Sequence, residues 1–182
     1  MPLIIITSYF ITILLSIIGI GFISAKILSI DINRYQTYLF GLLGIISLTF
    51  ISYFTNLFVA HNFLHNILLL SIGLISFLFG IYRKSIDINN TKKIIFLAAL
   101  LILISLLYKT HDDFDWYHLP YTLNLAQNKF QFGLGSFNLG FRTPSSLFYL
   151  NSLFYLPGIK YYSFNFAQLY IFLFGLIFIY TK

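Results

Sequence analysis

Long apolar runs, uninterrupted by charged side chains, restrict what this chain can fold into. The first run extends over residues 3–25 and ends at Lys26. A helix of about 20 residues crosses the roughly 30 Å hydrocarbon core of a bilayer with all its backbone hydrogen bonds made internally. Charged residues make up only 9% of the chain and hydrophobic residues 59%, whereas about 25% of an ordinary soluble domain is charged. We therefore expect an all-α, multi-pass transmembrane protein.

About six segments are predicted to cross the membrane. They are residues 3–25, 38–60, 63–82, 94–108, 145–156 and 161–180. The run at 145–156 is the shortest, and a short helix at the membrane interface is the alternative for it. This prediction divides a single membrane domain into a four-span region at 1–108, an acidic loop at 109–143 and one or two further helices at 144–182.

The basic residues predict which side of the membrane each loop faces. With six spans, one side holds seven Lys and Arg residues, in the loops 26–37, 83–93 and 157–160, and the other side holds four. Cytoplasmic loops carry an excess of Lys and Arg, so the first side is assigned to the cytoplasm of an inner (plasma) membrane and the loop 109–143 to the outside. The basic residues lie between the apolar runs and form no continuous basic stretch. Membrane lipid is therefore an expected partner, and nucleic acid is not.

The most unusual polar feature is a cluster of acids in the segment HDDFDWYHLPY, residues 111–121. Three of the five carboxylates in the chain lie here, on Asp112, Asp113 and Asp115. Ionisable groups concentrated in so apolar a chain indicate chemistry or recognition. A helical turn at this point would place Asp113 and Tyr117 on one face, with His118 nearby.

These residue types suit the handling of a lipid-linked phosphate at the membrane surface. An Asp can act as a general base toward a hydroxyl or can bind a divalent cation. His118 can contact a phosphate or carry a proton, and Arg142 can bind a phosphate with two hydrogen bonds. The alternative is a solvated outer loop whose charges keep it out of the lipid.

Two further polar groups lie at or beside the ends of the spans. His61 and His65 are four residues apart, a spacing compatible with two metal ligands on one helix face, but no third ligand is near them in sequence. We favour hydrogen-bonded histidines at the membrane interface. Asn56 and Asn66 are expected to donate hydrogen bonds between helices.

The acidic segment resembles the first extracytoplasmic loop of the GT-C superfamily. The resemblance is carried by the pattern DxxxYHLP, from Asp113 to Pro120, followed by Gly133-Leu134. Members are multi-pass glycosyltransferases that use polyprenyl-phosphate-linked sugars as donors. The stretch GFRTPSSLFYLNSLFYLPG, residues 140–158, resembles the region after this loop in related bacterial multi-pass proteins, so the resemblance covers residues 109–158.

The resemblance implies roles for individual residues. Asp113 matches the loop aspartate that activates the acceptor hydroxyl or helps to hold a metal, and Tyr117 and His118 match residues that shape the site. Asp112 and Asp115 are candidates for a shared divalent-cation site that also binds substrate. Arg142 matches nothing in the family pattern, and a phosphate-binding role for it is inferred from its chemistry alone.

The resemblance also bears on the extent of the protein, because members of the superfamily have more spans than are predicted here. It therefore implies that the chain is an N-terminal portion of a longer protein.

Two other functions are alternatives. A transporter or flippase component would carry charged residues within its spans, and a non-catalytic scaffold fragment would only pack against other membrane subunits.

Overall fold

The computed structural model describes residues 3–105 and 113–181, and within these ranges every regular element is helical. There are seven α-helices in the described ranges: α1 (Leu3–Ile27), α2 (Thr37–Asn56), α3 (Phe63–Tyr82), α4 (Ile88–Ser105), α5 (Leu119–Gln127), α6 (Ser146–Phe154) and α7 (Phe166–Tyr180). A π-helical turn, Phe114–His118, leads directly into α5. Short 3-10 turns at Leu134–Ser136, Leu139–Arg142 and Lys160–Asn165 connect the remaining helices.

Four helical segments of the described chain are long and apolar enough to cross a membrane. They are α1, α2, α3 and the stretch Tyr162–Tyr180 that contains α7. They coincide with four of the six predicted spans. Helix α4 overlaps the predicted span 94–108, and the last residues of that prediction, 106–108, lie outside the described residues.

The predicted fifth span, 145–156, forms only the nine-residue helix α6. At about 1.5 Å per residue, this helix covers less than half of a bilayer core. It begins where the Ser145 hydroxyl accepts a hydrogen bond from the backbone N–H of Leu147 at 3.2 Å. It ends just before Pro157, which disfavours helical backbone in the preceding residue. Helix α6 is therefore too short to cross the membrane, and the alternative of a short helix agrees with the structure.

Helix α1 lies between α2 and α3 and contacts both through glycines. A methyl group on Gly21 would overlap the backbone carbonyl of Phe40 in α2, and one on Gly19 would overlap the carbonyl of Gly73 in α3. Glycine is therefore required where these backbones meet. The sequence did not single out Gly19 and Gly21 for these contacts.

Helix α7 runs antiparallel to α2. Near its start, the Tyr170 hydroxyl donates to the carbonyl of Phe10 in the first turns of α1, at 2.8 Å. Near its end, the ring of Phe178 lies 6.4 Å from that of Tyr38 in the first turn of α2. The bundle thus has a His61 end, where α2 is joined to α3, and a Lys26 end, where α1 is joined to α2.

The connection 157–160 lies at the His61 end, because a Cβ on Gly158 would be 2.6 Å from the Tyr9 hydroxyl near the start of α1. The six-span prediction, which placed this connection with the loop 26–37, is wrong on this point. The reason is that α6 does not cross, so the whole segment from residue 113 to residue 165 stays at one end. We call this segment the cover.

The packing of α1 predicts different effects for two matched glycine substitutions. Gly21→Ala should lower the free energy of unfolding by about 1–3 kcal/mol, because a backbone carbonyl cannot move aside as a side chain can. Gly175→Ala in α7 meets nothing within 4 Å and should be neutral or stabilising by up to about 1 kcal/mol. Thermal unfolding of both variants in one detergent, followed by circular dichroism, checks this. Equal melting temperatures would contradict the close α1–α2 contact.

Candidate functional site

The cover is attached to the His61 end of the bundle through the side chain and backbone of His61. The side chain is fully buried. Its Nδ1 lies 2.6 Å from the Ser152 hydroxyl of α6, and its Nε2 lies 3.1 Å from the Ser52 carbonyl of α2. A carbonyl oxygen only accepts, so the contact with Ser52 requires a proton on Nε2. The Ser152 hydroxyl also donates to the Tyr149 carbonyl at 2.7 Å. The backbone N–H of His61 donates to the carbonyl of Leu125 in α5 at 2.9 Å.

Asn66 provides a second attachment between α3 and the cover. Its side-chain nitrogen donates to the carbonyls of His61 and Ser152, each at 2.8 Å, and reaches that of Tyr155 at 3.1 Å. Ser152 lies in the last turn of α6, where helical carbonyls lack α-helical donors, and Tyr155 directly follows the helix. Asn66 was expected to donate hydrogen bonds between helices, and its bond to Ser152 links α3 to α6.

Asn56, the last residue of α2, makes a third and weaker attachment. Its side-chain nitrogen lies 3.4 Å from the carbonyl of Leu125 and 3.3 Å from that of Asn128. Its backbone carbonyl accepts from the N–H of Phe130 at 2.8 Å. Its side-chain oxygen is buried and has no hydrogen-bond donor among the described residues. This junction is therefore less completely paired than the one at His61.

The environment of His61 keeps its imidazole neutral. Burial, and then the nearby His65, lower the pKa of His61 to about 3. The two rings stack with their centroids 5.0 Å apart. Both ring nitrogens of His61 already contact protein atoms. Across residues 3–105 and 113–181, no group of three or more His, Cys, Asp or Glu side chains is placed to hold a metal ion. The geometry therefore favours the hydrogen-bonded interpretation of the His pair over a metal site.

Within the acidic segment, Phe114–His118 form a single π-helical turn at the edge of the cover. The backbone N–H of Tyr117 donates to the Asp113 carbonyl at 3.1 Å, and that of His118 reaches the same oxygen at 3.4 Å. This π-helical turn brings the backbones of Asp113, Tyr117 and His118 together. Pro120 is the second residue of α5 and directly follows this turn.

Aromatic packing holds this turn against the rest of the cover. The rings of Tyr117 and His118 meet edge to face at 4.4 Å, and the His118 ring lies 5.1 Å from Phe148 of α6. The Tyr117 ring also lies directly on Gly140, where a methyl group would overlap it. The sequence did not single out Phe148, which lies within a stretch rich in aromatic residues.

The structure shows fewer contacts for the other predicted site residues, the acids and Arg142, than for Tyr117 and His118. Asp113 is half-buried and Asp115 is exposed, while Asp112 lies outside the described residues. The exposed Arg142 donates from its Nε to the Gly135 carbonyl at 3.2 Å. It belongs to the same 3-10 turn as Gly140, so it lies near the Tyr117 contact in the chain. The predicted cation site shared by Asp112 and Asp115 stays a prediction.

Beneath the turn lies a group of tyrosines that the sequence did not reveal. The hydroxyls of Tyr121 in α5 and Tyr149 in α6 lie 3.5 Å apart. The ring of Tyr53 in α2 lies 4.0 Å from that of Tyr149. Burial raises the pKa of Tyr121 and of Tyr149, so both hydroxyls keep their protons and remain hydrogen-bond donors.

The chain matches no protein-family model, no curated protein and no solved structure at a significant level. The function is therefore inferred from the geometry of the turn at Asp113 and from the chemistry of its side chains.

The buried His61 predicts a specific dependence of stability on pH. Its pKa is about 3 when folded, against an ordinary value of 6.5. Between these two pKa values, the unfolded chain binds a proton on His61 and the folded chain does not. Stability should therefore be constant above about pH 6.5 and fall below it by up to about 1.4 kcal/mol per pH unit.

Denaturant unfolding of His61→Gln at pH 7.5, 6.0 and 5.0 tests this, with His65→Gln as the matched control. The His61 variant should lose much of the pH dependence, and the His65 variant should keep it. The same pH dependence in both variants would show that His61 is not the group responsible.

Proposed function

We propose that this chain is an integral membrane protein of the inner (plasma) membrane whose cover faces the outside. Of the basic residues in the described ranges, six lie in α1, α4 or the loops at the Lys26 end: Lys26, Arg34, Arg83, Lys84, Lys92 and Lys93. Three lie in the cover: Lys129, Arg142 and Lys160. Under the positive-inside rule, this difference supports a cytoplasmic Lys26 end and an outer His61 end.

Within that topology, we propose that the turn at Asp113 acts on polyprenyl-phosphate-linked sugars, as its resemblance to the GT-C loop implies. One observation carries this proposal: a half-buried carboxylate, a tyrosine and an imidazole occupy a single turn where the apolar helices end. A lipid-linked sugar has its phosphate at this depth, between the hydrocarbon core and water. The polar groups of the turn are therefore where the reacting part of such a donor would lie.

The proposed reaction is transfer of the sugar to an acceptor hydroxyl. Asp113 accepts the hydroxyl proton as the oxygen attacks the anomeric carbon. A new glycosidic bond forms, the bond from that carbon to the phosphate oxygen breaks, and polyprenyl phosphate leaves with the electron pair. His118, or Arg142 on the neighbouring 3-10 turn, stabilises the negative charge on the leaving phosphate. A divalent cation at the site predicted for Asp112 and Asp115 would supply the same stabilisation.

The transporter alternative has less support. Helices α2, α3 and α7 contain no Asp, Glu, Lys or Arg, and the one such residue of α1 is Lys26, next to its last residue. A path for a charged substrate would be expected to place ionisable groups nearer the middle of the spans.

Binding of a lipid-linked phosphate can be followed through Trp116, the only Trp of the chain. This residue is 75% exposed and lies three residues from Asp113. We expect a short-chain polyprenyl phosphate to change the emission of Trp116 and to protect it from quenching by iodide. The uncharged polyprenol is the matched ligand and should do neither, because it lacks the phosphate. Identical responses to both ligands would argue against recognition of the phosphate.

The catalytic proposal is tested by Asp113→Asn. In membranes that contain the chain, we expect this variant to lower the transfer of radiolabel from an undecaprenyl-phosphate-linked hexose roughly 100-fold or more, the usual effect of losing a general base. Asp31→Asn is the matched control, since Asp31 is an exposed carboxylate at the Lys26 end. If Asp113→Asn folds normally and supports the rate of the unchanged chain, Asp113 is not the base.

A further inference from the structure

A groove of about 1060 Å³ lies between α1 and α3 at the Lys26 end, opposite the cover. Apolar side chains of both helices form its walls, among them Phe22, Ile75 and Phe79. Ile75 and Phe79 remain 66% and 53% exposed. Because α1 and α3 touch through Gly19 and Gly73 nearer the middle of the helices, the groove opens only toward their ends.

Three cations line the polar end of this groove. They are Lys26, in the last turn of α1, and Arg83 and Lys84, which directly follow α3. All three are exposed, and no carboxylate is among the described residues that line the groove. The Lys26 ammonium lies 5.8 Å from the centre of the Phe22 ring, and the Arg83 guanidinium lies 5.9 Å from that of Phe79. Positive charge is therefore held directly above the apolar walls.

The backbone at Lys84 gives a second, independent observation. Its φ of +55° is in the left-handed region, and the position follows the end of a helix, where glycine is strongly preferred. A residue with a Cβ is strained there. The position therefore holds a lysine at a cost in backbone strain, and a role for its charge in the groove would account for that residue.

We propose that this groove binds an anionic phospholipid of the adjacent leaflet. The phosphodiester would lie among Lys26, Arg83 and Lys84, and an acyl chain would lie along Ile75 and Phe79. Basic pockets between membrane helices on the cytoplasmic side bind acidic headgroups, and the apolar walls distinguish a lipid from a free phosphate ion. This site lies at the opposite end from the turn at Asp113, and it depends on the chain spanning a membrane but not on the proposed transferase activity.

The charges are tested with two double variants of equal net charge. Arg83→Gln/Lys84→Gln removes two cations from the groove, while Lys92→Gln/Lys93→Gln removes two exposed cations from α4 that do not line it. Native mass spectrometry of the detergent-purified chain, titrated with phosphatidylglycerol, measures the affinity. Each cation near the surface contributes about a fivefold factor, so the groove variant should bind roughly 25-fold more weakly and the α4 variant within about twofold of the unchanged chain.

Two competitors identify the ligand. Phosphatidylcholine, which has a phosphate but no net charge, should bind much more weakly than phosphatidylglycerol. Inorganic phosphate at millimolar concentration should not displace the lipid. Equal loss in the two double variants, equal binding of the two lipids, or displacement by inorganic phosphate would each overturn the proposal.

Two further substitutions separate binding from folding. Lys84→Gly should raise the melting temperature by relieving the left-handed strain, yet lower the phosphatidylglycerol affinity about fivefold; unchanged affinity would contradict the proposal.

Ile75→Trp should fill the groove and weaken binding with all three cations intact. Its control is Ile72→Trp, at an exposed position of α3 that does not line the groove. Equal affinities in the two Trp variants would exclude an acyl chain along Ile75.

Discussion

The arrangement of the His61 end depends on pairing the buried polar groups where the bundle meets the cover. A buried carbonyl or imidazole without a partner is costly in an apolar surrounding. His61 and Asn66 supply partners for carbonyls from α2 and from the end of α6. These bonds fix the position of α6, and α6 in turn presents Phe148 to the ring of His118. The turn at Asp113 is thus positioned by two residues that lie far from it in sequence.

The glycine contacts of α1 are equally necessary, although they act at a distance from the site. Gly19 and Gly21 let α3 and α2 approach α1 from two sides. Any larger residue would separate α2 from α3 and change the distance between Ser52 and His61. The polar attachments of the cover have narrow distance requirements, so they can form only on a tightly packed bundle.

The sequence predicted the parts of the structure that depend on local pattern. Apolar runs of about twenty residues located α1, α2, α3 and α7. The spacing of Asp113, Tyr117 and His118 showed only that a helical turn, where one forms, would bring these residues together. The run 145–156 was ambiguous, because a short apolar run suits a short span and a buried helix equally well. Hydrogen-bonded histidines were favoured over a metal pair at His61 and His65, but the partner of His61 could not be predicted, since Ser152 is 91 positions away in sequence.

The unpaired side-chain oxygen of Asn56 has a consequence for how the cover could come away from the bundle. If the segment after α5 moved away from α2, the long contacts of Asn56 with Leu125 and Asn128 would break. Water would then reach the side-chain oxygen of Asn56, which has no hydrogen-bond donor among the described residues. Breaking the hydrogen bonds of His61 exposes no unpaired acceptor of this kind, so hydration does not offset their loss. The junction at Asn56 therefore contributes less to holding the cover on the bundle than the junction at His61 does.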